Sequence, residues 1–125
     1  MTPIATTAAP AAIGPYSQAI QVGDFLFASG QLGIDPATGQ LPASFAEQAE
    51  RSLLNVEAIL REAGLTAAHV VKTTVFLADM ADFAVLNEIY ARHFSAPYPA
   101  RSAVAVRTLP KGALVEVEFV AHAQR

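Results

Sequence analysis

The stretch that decides the fold is Arg101-Ser102-Ala103-Val104-Ala105-Val106-Arg107, followed through Leu109-Pro110-Lys111-Gly112 by Leu114-Val115-Glu116-Val117-Glu118-Phe119-Val120-Ala121. In its first half Ser102, Val104 and Val106 alternate with Arg101, Ala103, Ala105 and Arg107. In its second half Val115, Val117, Phe119 and Ala121 alternate with Leu114, Glu116, Glu118 and Val120. A period of two marks strands with one buried face. Two neighbouring strands are therefore predicted, joined as a hairpin by the turn at 109–112. Parity then sets Arg101, Arg107, Glu116 and Glu118 together on the face away from the core.

Working outward, the segment before this pair carries Phe83, Leu86, Tyr90 and Phe94 at steps of three and four, an amphipathic helix that Asp79 or Asp82 can cap. Residues 70–77, rich in Val and Thr, read as a strand. A longer helix begins at the capping-box pair Ser44 and Glu47 and shows Ala46, Ala49, Leu53, Val56, Leu60 and Ala63 as its inner stripe. Glu47–Arg51 and Glu57–Arg61 are favourable i,i+4 pairs, and Gly64 stops the helix with Leu65 folding back. Asp35-Pro36-Ala37-Thr38-Gly39 is a turn, and residues 17–29 form a hairpin about Gly23-Asp24. The order β-β-α-β-α-β-β predicts an α/β (α+β) fold: one mixed sheet with two helices on one face, a single domain over residues 1–125.

Composition bounds the function. Of 125 residues 53% are hydrophobic and only 15% charged, against about 25% charged in an average domain. So few charges on a small surface predict that a second subunit covers part of it. The face assigned to Arg101, Arg107, Glu116 and Glu118 carries small alanines too, as a subunit interface with a polar cleft would. A net charge of −3 with no cluster of Lys and Arg argues against nucleic acid. There is no cysteine, which excludes disulfides, thiolate zinc sites and a cysteine nucleophile, and which suits a reducing, cytoplasmic setting. No signal peptide and no membrane span are expected. His69, His93 and His122 lack metal-ligand spacing, so no metal is expected. Gly30-Gln31-Leu32-Gly33 lacks the Lys-Ser/Thr of a phosphate loop.

Several side chains carry candidate chemistry, each beside a structural alternative. Arg101 and Glu116 form either a cross-strand salt bridge or a carboxylate anchor with an acid beside it. Asn87 on the second helix is either a structural hydrogen-bonding group or a pocket residue. Ser29 ends an apolar strand without the Gly-x-Ser-x-Gly elbow of a hydrolase nucleophile. Tyr16, in the rigid loop Gly14-Pro15-Tyr16-Ser17, is either packed or catalytic.

Taken together, these stretches resemble the RidA (reactive intermediate deaminase, formerly YjgF-type) family over nearly the whole chain. The resemblance rests on Ala9-Pro10-Ala11-Ala12-Ile13-Gly14-Pro15-Tyr16, Ser29-Gly30-Gln31, Val71-Lys72-Thr73-Thr74-Val75-Phe76-Leu77 and Asp82-Phe83 to Asn87. It continues through Tyr98-Pro99-Ala100-Arg101-Ser102, Leu109-Pro110 and Val115-Glu116-Val117-Glu118. It implies a chorismate-mutase-like fold and a homotrimer with three clefts between subunits. It implies hydrolysis of 2-iminopropanoate and 2-iminobutanoate, products of Ser/Thr dehydratases, to 2-keto acids and ammonia without a cofactor. It also implies the roles: Arg101 binds the substrate carboxylate, and Glu116 is the acid near the attacking water. Tyr16, Ser29 and Asn87 complete the pocket, and Ala103 contributes through its backbone. Ala103 stands where many members carry cysteine, which removes any thiol role, and Val117 replaces the usual Ile or Met. The other readings are a small-carboxylate sensor without turnover, which needs the arginine more than the acid, and a ribonuclease or translation inhibitor. The acidic balance and the lack of paired histidines argue against the last.

Overall fold

A computed structural model describes residues 1–124. Its elements in chain order are β1 (Thr2–Ile4), β2 (Ala19–Val22), β3 (Phe25–Leu32), α1 (Phe45–Glu62), β4 (Val70–Leu77), α2 (Phe83–His93), β5 (Ala100–Ala105) and β6 (Val115–His122). The six strands make one sheet in the order β1-β2-β3-β6-β4-β5. Strand β1 is the unanticipated addition. It has three residues, one of them Pro3, too short to leave a period.

The local chemistry read from the sequence accounts for most of these boundaries. Gly23 takes a positive φ of 56° between the paired residues Val22 and Phe25, which the Gly-first turn requires. Helix α1 starts where the Ser44 hydroxyl accepts from the Glu47 N–H at 3.2 Å. The Glu47 carboxylate, however, accepts from the Ser44 hydroxyl at 2.9 Å, so the reciprocal half of the capping box is not made. The helix ends at Gly64, whose φ is 76°, and Leu65 N–H returns to Leu60 O at 2.8 Å. Asp79 accepts from Ala81 N–H at 2.9 Å and starts a short 3₁₀ turn that runs into α2.

Three expectations are corrected. Ala46 is exposed and Phe45 takes its place at the head of the buried stripe. The i,i+4 pairs on α1 do not form ion pairs among the described residues, because Glu47 is held by Ser44 and Glu57 by His93. The largest correction concerns the two final strands, which are not a hairpin. β5 pairs parallel with β4 at the sheet edge, and β6 runs antiparallel between β4 and β3. A parallel pair needs a crossover connection, and α2 supplies one. The loop after β5, where Lys111 and Gly112 both have positive φ (59° and 67°), then carries the chain past β4 to the middle of the sheet.

The core lies between α1, α2 and one face of the sheet. Leu26, Leu53, Ile59, Leu60, Leu77, Leu86, Val75, Val115 and Val117 are fully buried there, each side chain stabilising the fold by roughly 1.5–3 kcal/mol. A polar seam on α1 joins them. Ser52 donates to Gln31 O at 2.7 Å, and Asn55 donates to Leu32 O and Ile34 O at 3.0 and 2.9 Å. Gln48 donates to Pro42 O at 2.8 Å and accepts from Leu114 N–H at 2.9 Å. These bonds fix the chain leaving β3 and the residue entering β6. No described helix is long and apolar enough to cross a membrane.

Candidate active site

Register settles which side chains share a face. In β6, Val115, Val117 and Phe119 pair with Leu77, Val75 and Thr73 of β4 on the helix side. In β5, Arg101, Ala103 and Ala105 pair with the same Thr73, Val75 and Leu77. Arg101 therefore points to the helix side and Glu116 to the other side, with β4 between their strands. Parity reasoning failed on β5 because an edge strand can leave its apolar row uncovered: Val104 is 47% exposed. Within one chain the Arg101–Glu116 salt bridge does not form.

Arg101 is seated on aromatic rings. Its guanidinium carbon lies 4.9 Å from the Tyr90 ring centre and 5.3 Å from that of Phe83, within cation–π range. Phe83 and Tyr90 stand two turns apart on α2 and so present one side of the helix. The Tyr90 hydroxyl is pinned to Thr73 Oγ1 at 2.7 Å. Burial pushes the Tyr90 phenol up, while the Thr73 bond and the Arg101 charge pull against it. No described residue forms an ion pair with Arg101. Its planar fork of donors opens on a cavity of about 330 Å³ shared with Asn87, Tyr98 and Pro99.

Asn87 is exposed and borders this cavity. Ala103 is half-buried two residues along the strand. Val106 N–H donates to Leu77 O at 2.8 Å, and strand alternation turns the peptide groups of Ala103 the other way, toward the open edge.

Glu116 belongs to a second cavity, of about 530 Å³, walled by Pro10, Ile13, Tyr16, Gln18, Gly30 and Lys111 among others. The β3–β6 register shifts between Ala28 and Gln31, a bulge that sets Ser29 and Gly30 opposite Glu118. The Glu116 carboxylate lies against Gly30: a Cβ there would overlap its Oε1, Cδ and Cγ. Glycine is needed for this approach. Half-burial raises the Glu116 pKa above the ordinary carboxylate value, and the Glu118 charge on the same strand face raises it further. A carboxyl so poised holds a proton to higher pH and returns it readily.

Tyr16 is 53% exposed at the cavity wall. Ser29 lies behind that wall, its hydroxyl donating to Ser17 O at 2.6 Å and its N–H to Gln18 O at 2.9 Å. Ser29 thus holds the Tyr16 loop rather than offering a free hydroxyl.

The sequence reading missed Gly30, Gln18, Tyr98 and the ring seat of Arg101. In the sequence Gly30 and Tyr98 stand only inside motifs and Gln18 only inside the 17–29 hairpin, while Phe83 and Tyr90 are visible only as core stripe. The three histidines stand on separate elements. His93, at the end of α2, bridges Glu57 at 2.6 Å and Glu50 at 2.9 Å on α1. His69 and His122 accept from the backbone of Thr66 and Gln124. Among the described residues no group of His, Asp and Glu could hold a metal ion.

Comparison with known proteins places this geometry in context. Residues 6–123 match the model of the endoribonuclease L-PSP family. The chain is 58% identical over 119 residues to a RutC family protein of Sinorhizobium fredii, covering 94% of each. It is 53% identical over 119 residues to the 2-iminobutanoate/2-iminopropanoate deaminase of Mus musculus, covering 94% of this chain and 88% of the relative. The crystal structure of RidA from an Antarctic Psychrobacter superposes with a TM-score of 0.95 at 49% identity, over 98% of this chain and 99% of that one.

Proposed function

The chain belongs to the RidA family, and on that premise we propose that it is a cofactor-independent hydrolase of 2-imino acids, acting on 2-iminopropanoate and 2-iminobutanoate in the cytoplasm. The observation that carries this reading is the Arg101 guanidinium, seated on Tyr90 and Phe83 and without an ion-pair partner among the described residues. Burial beside rings favours a counter-anion, and a substrate carboxylate supplies one with matching planar geometry. Asn87 and the outward peptide groups of Ala103 border the same place.

The chemistry asks little more. With the imine nitrogen protonated, its carbon takes the oxygen of a water, the C=N π pair moves to nitrogen, and Glu116 accepts one water proton, which gives a carbinolamine. Glu116 then returns that proton to nitrogen, and the C–N bond breaks with its electron pair leaving on ammonia. The hydroxyl gives up its proton to Glu116 as the C=O bond forms, leaving a 2-keto acid and ammonia. Arg101 and Glu116 must border one substrate for this, and within one chain they lie on opposite sides of the sheet. The functional unit in this proposal is therefore an oligomer with its sites between subunits, and the family resemblance makes it a homotrimer with three clefts. Each cleft combines Arg101, Asn87 and Ala103 of one subunit with Glu116 and Tyr16, held by Ser29, of the next. The exposure of Phe25 (43%), Phe27 (47%) and Val104 (47%) supports a covered face, as does the low share of charge.

The test is ammonia release from imine generated in situ by a Ser/Thr dehydratase. The wild type should accelerate release over spontaneous hydrolysis, and Arg101→Ala should not. No acceleration by the wild type, together with retained binding of 2-oxobutanoate, would make the protein a keto-acid binder instead.

A further inference from the structure

Gln18 is the most heavily bonded side chain outside the two cavities' chemistry. It is 4% exposed. Its Oε1 accepts from Thr6 N–H at 2.7 Å, and its Nε2 donates to Thr6 O at 3.1 Å, Pro10 O at 2.7 Å and Ala9 O at 3.4 Å. Its own carbonyl is taken by Ser29 N–H, which ties it to the bulge of β3. One amide therefore joins the segment from Thr6 to Pro10 to the strand pair that carries Gly30.

That segment leads into the wall over Glu116. Pro10, Ala11, Ile13 and Tyr16 line the Glu116 cavity, yet Ile13 is 79% exposed and Tyr16 53% exposed. Side chains so exposed gain little from core packing. Ala9 packs into the core, and on either side of it the Gln18 amide satisfies part-buried backbone groups of Thr6 and Pro10 whose loss of a partner would each cost about 1–3 kcal/mol, so the amide fixes the backbone of residues 6–10. The geometry points to Gln18 as a positioning residue: it sets the wall that half-covers the Glu116 carboxylate and fixes Tyr16 across from it. This role rests on the proposed use of Glu116 as the proton-transfer group but is measurable without turnover.

The test compares the wild type with Gln18→Met, which keeps length and volume while losing every hydrogen bond of the amide. The Glu116 carboxyl is titrated by carbon-13 NMR and amide hydrogen exchange is read along the chain. The charged or titratable groups facing Glu116 are Glu118 on the same strand face and Lys111 and Tyr16 in the cavity lining; Glu118 and Lys111 lie outside the segment that the substitution releases, and Tyr16 moves with it. With the wall displaced, the Glu116 midpoint should fall by about 0.5–1 pH unit as burial is relieved. Exchange at residues 6–17 should rise at least tenfold while β3 and β6 keep their protection. In the imine assay kcat should fall about tenfold with KM within twofold, because Arg101 is untouched, and the acid limb of the pH profile should move with the midpoint.

An unchanged midpoint would overturn the proposal, as would faster exchange spread equally over β2, β3 and β6. Should Gln18→Met fail to fold, Gln18→Asn, a neutral amide one methylene too short to span the same partners, takes the same measurements under the same criteria. A wild type without imine hydrolysis would sink the proposed function alone, leaving Gln18 to be judged by the titration and the exchange.

Discussion

The two halves of the candidate site are built on opposite principles. Around Arg101 the structure provides a rigid apolar seat, two rings of α2 beneath a charge with no ion-pair partner among the described residues. Around Glu116 it provides absence: a glycine that leaves room for a carboxylate, and a bulge that bends β3 away. The first arrangement holds a permanent charge ready for an anion. The second raises a carboxyl's proton affinity, through burial and the neighbouring Glu118 charge. On the proposed function, binding and proton transfer are separate devices, kept on separate sides of one sheet, and each can be damaged alone.

The largest effect should come from the Arg101 half. Arg101→Ala would remove the two charge-assisted hydrogen bonds that the proposed function assigns to the substrate carboxylate, and should lower kcat/KM by roughly 100–1000-fold. Arg101→Lys keeps the charge without the fork and should lose about tenfold, mostly in KM. A lysine variant as poor as alanine would mean that fork geometry, rather than charge, does most of the anchoring.

On the other side, Gly30→Ala should push the Glu116 carboxylate aside and lower kcat roughly tenfold to a hundredfold with little change in KM. The circular dichroism should stay native. A variant with normal kcat would remove the close approach at Gly30 from the account.

Smaller still is the floor beneath that half. Asn55→Ala orphans the buried carbonyls of Leu32 and Ile34 and should cost about 2 kcal/mol in denaturant unfolding. Because those carbonyls adjoin the Glu116 cavity, kcat should suffer before KM does.

The smallest effect concerns the clamp at the end of α2, on the Arg101 side. Burial alone would lower the His93 pKa, but the hydrogen bonds and charges of Glu50 and Glu57 outweigh it and the net shift is upward. Its contribution to stability is therefore fully present below the unfolded value near 6.5 and fades as pH rises through the higher folded value. Stability measured from pH 6 to 9 should decline over that window in the wild type, by under about 1 kcal/mol. It should be flatter in His93→Gln. Stability rising with pH across that window would contradict the ion pairs.

Much of this was legible in the sequence. Ser44, Gly64 and Gly23 announced where elements begin and end, since caps and turns are local chemistry. The period of β6 gave its buried face correctly because that strand is central and covered by helices. The same period misled on β5, an edge strand whose alanines and Val104 do not distinguish a face turned to helix from a face left bare. Strand adjacency was misread for a related reason: a turn motif at 109–112 shows that the chain bends, not which strand it rejoins. Arg101 and Glu116 were found as residue types within a family resemblance. Their separation, the ring seat and the Gln18 strut depend on contacts between distant segments, which no local pattern encodes.

The claim that the two halves meet between subunits is tested most directly by mixing two inactive variants. Arg101→Ala supplies only Glu116, and Glu116→Gln supplies only Arg101. After subunit exchange at equal concentrations, about a quarter of the clefts in a cyclic assembly should unite both intact residues. The mixture should recover about that fraction of wild-type ammonia release. Recovery near zero, with exchange verified by mass-tagged subunits, would contradict a site shared between chains.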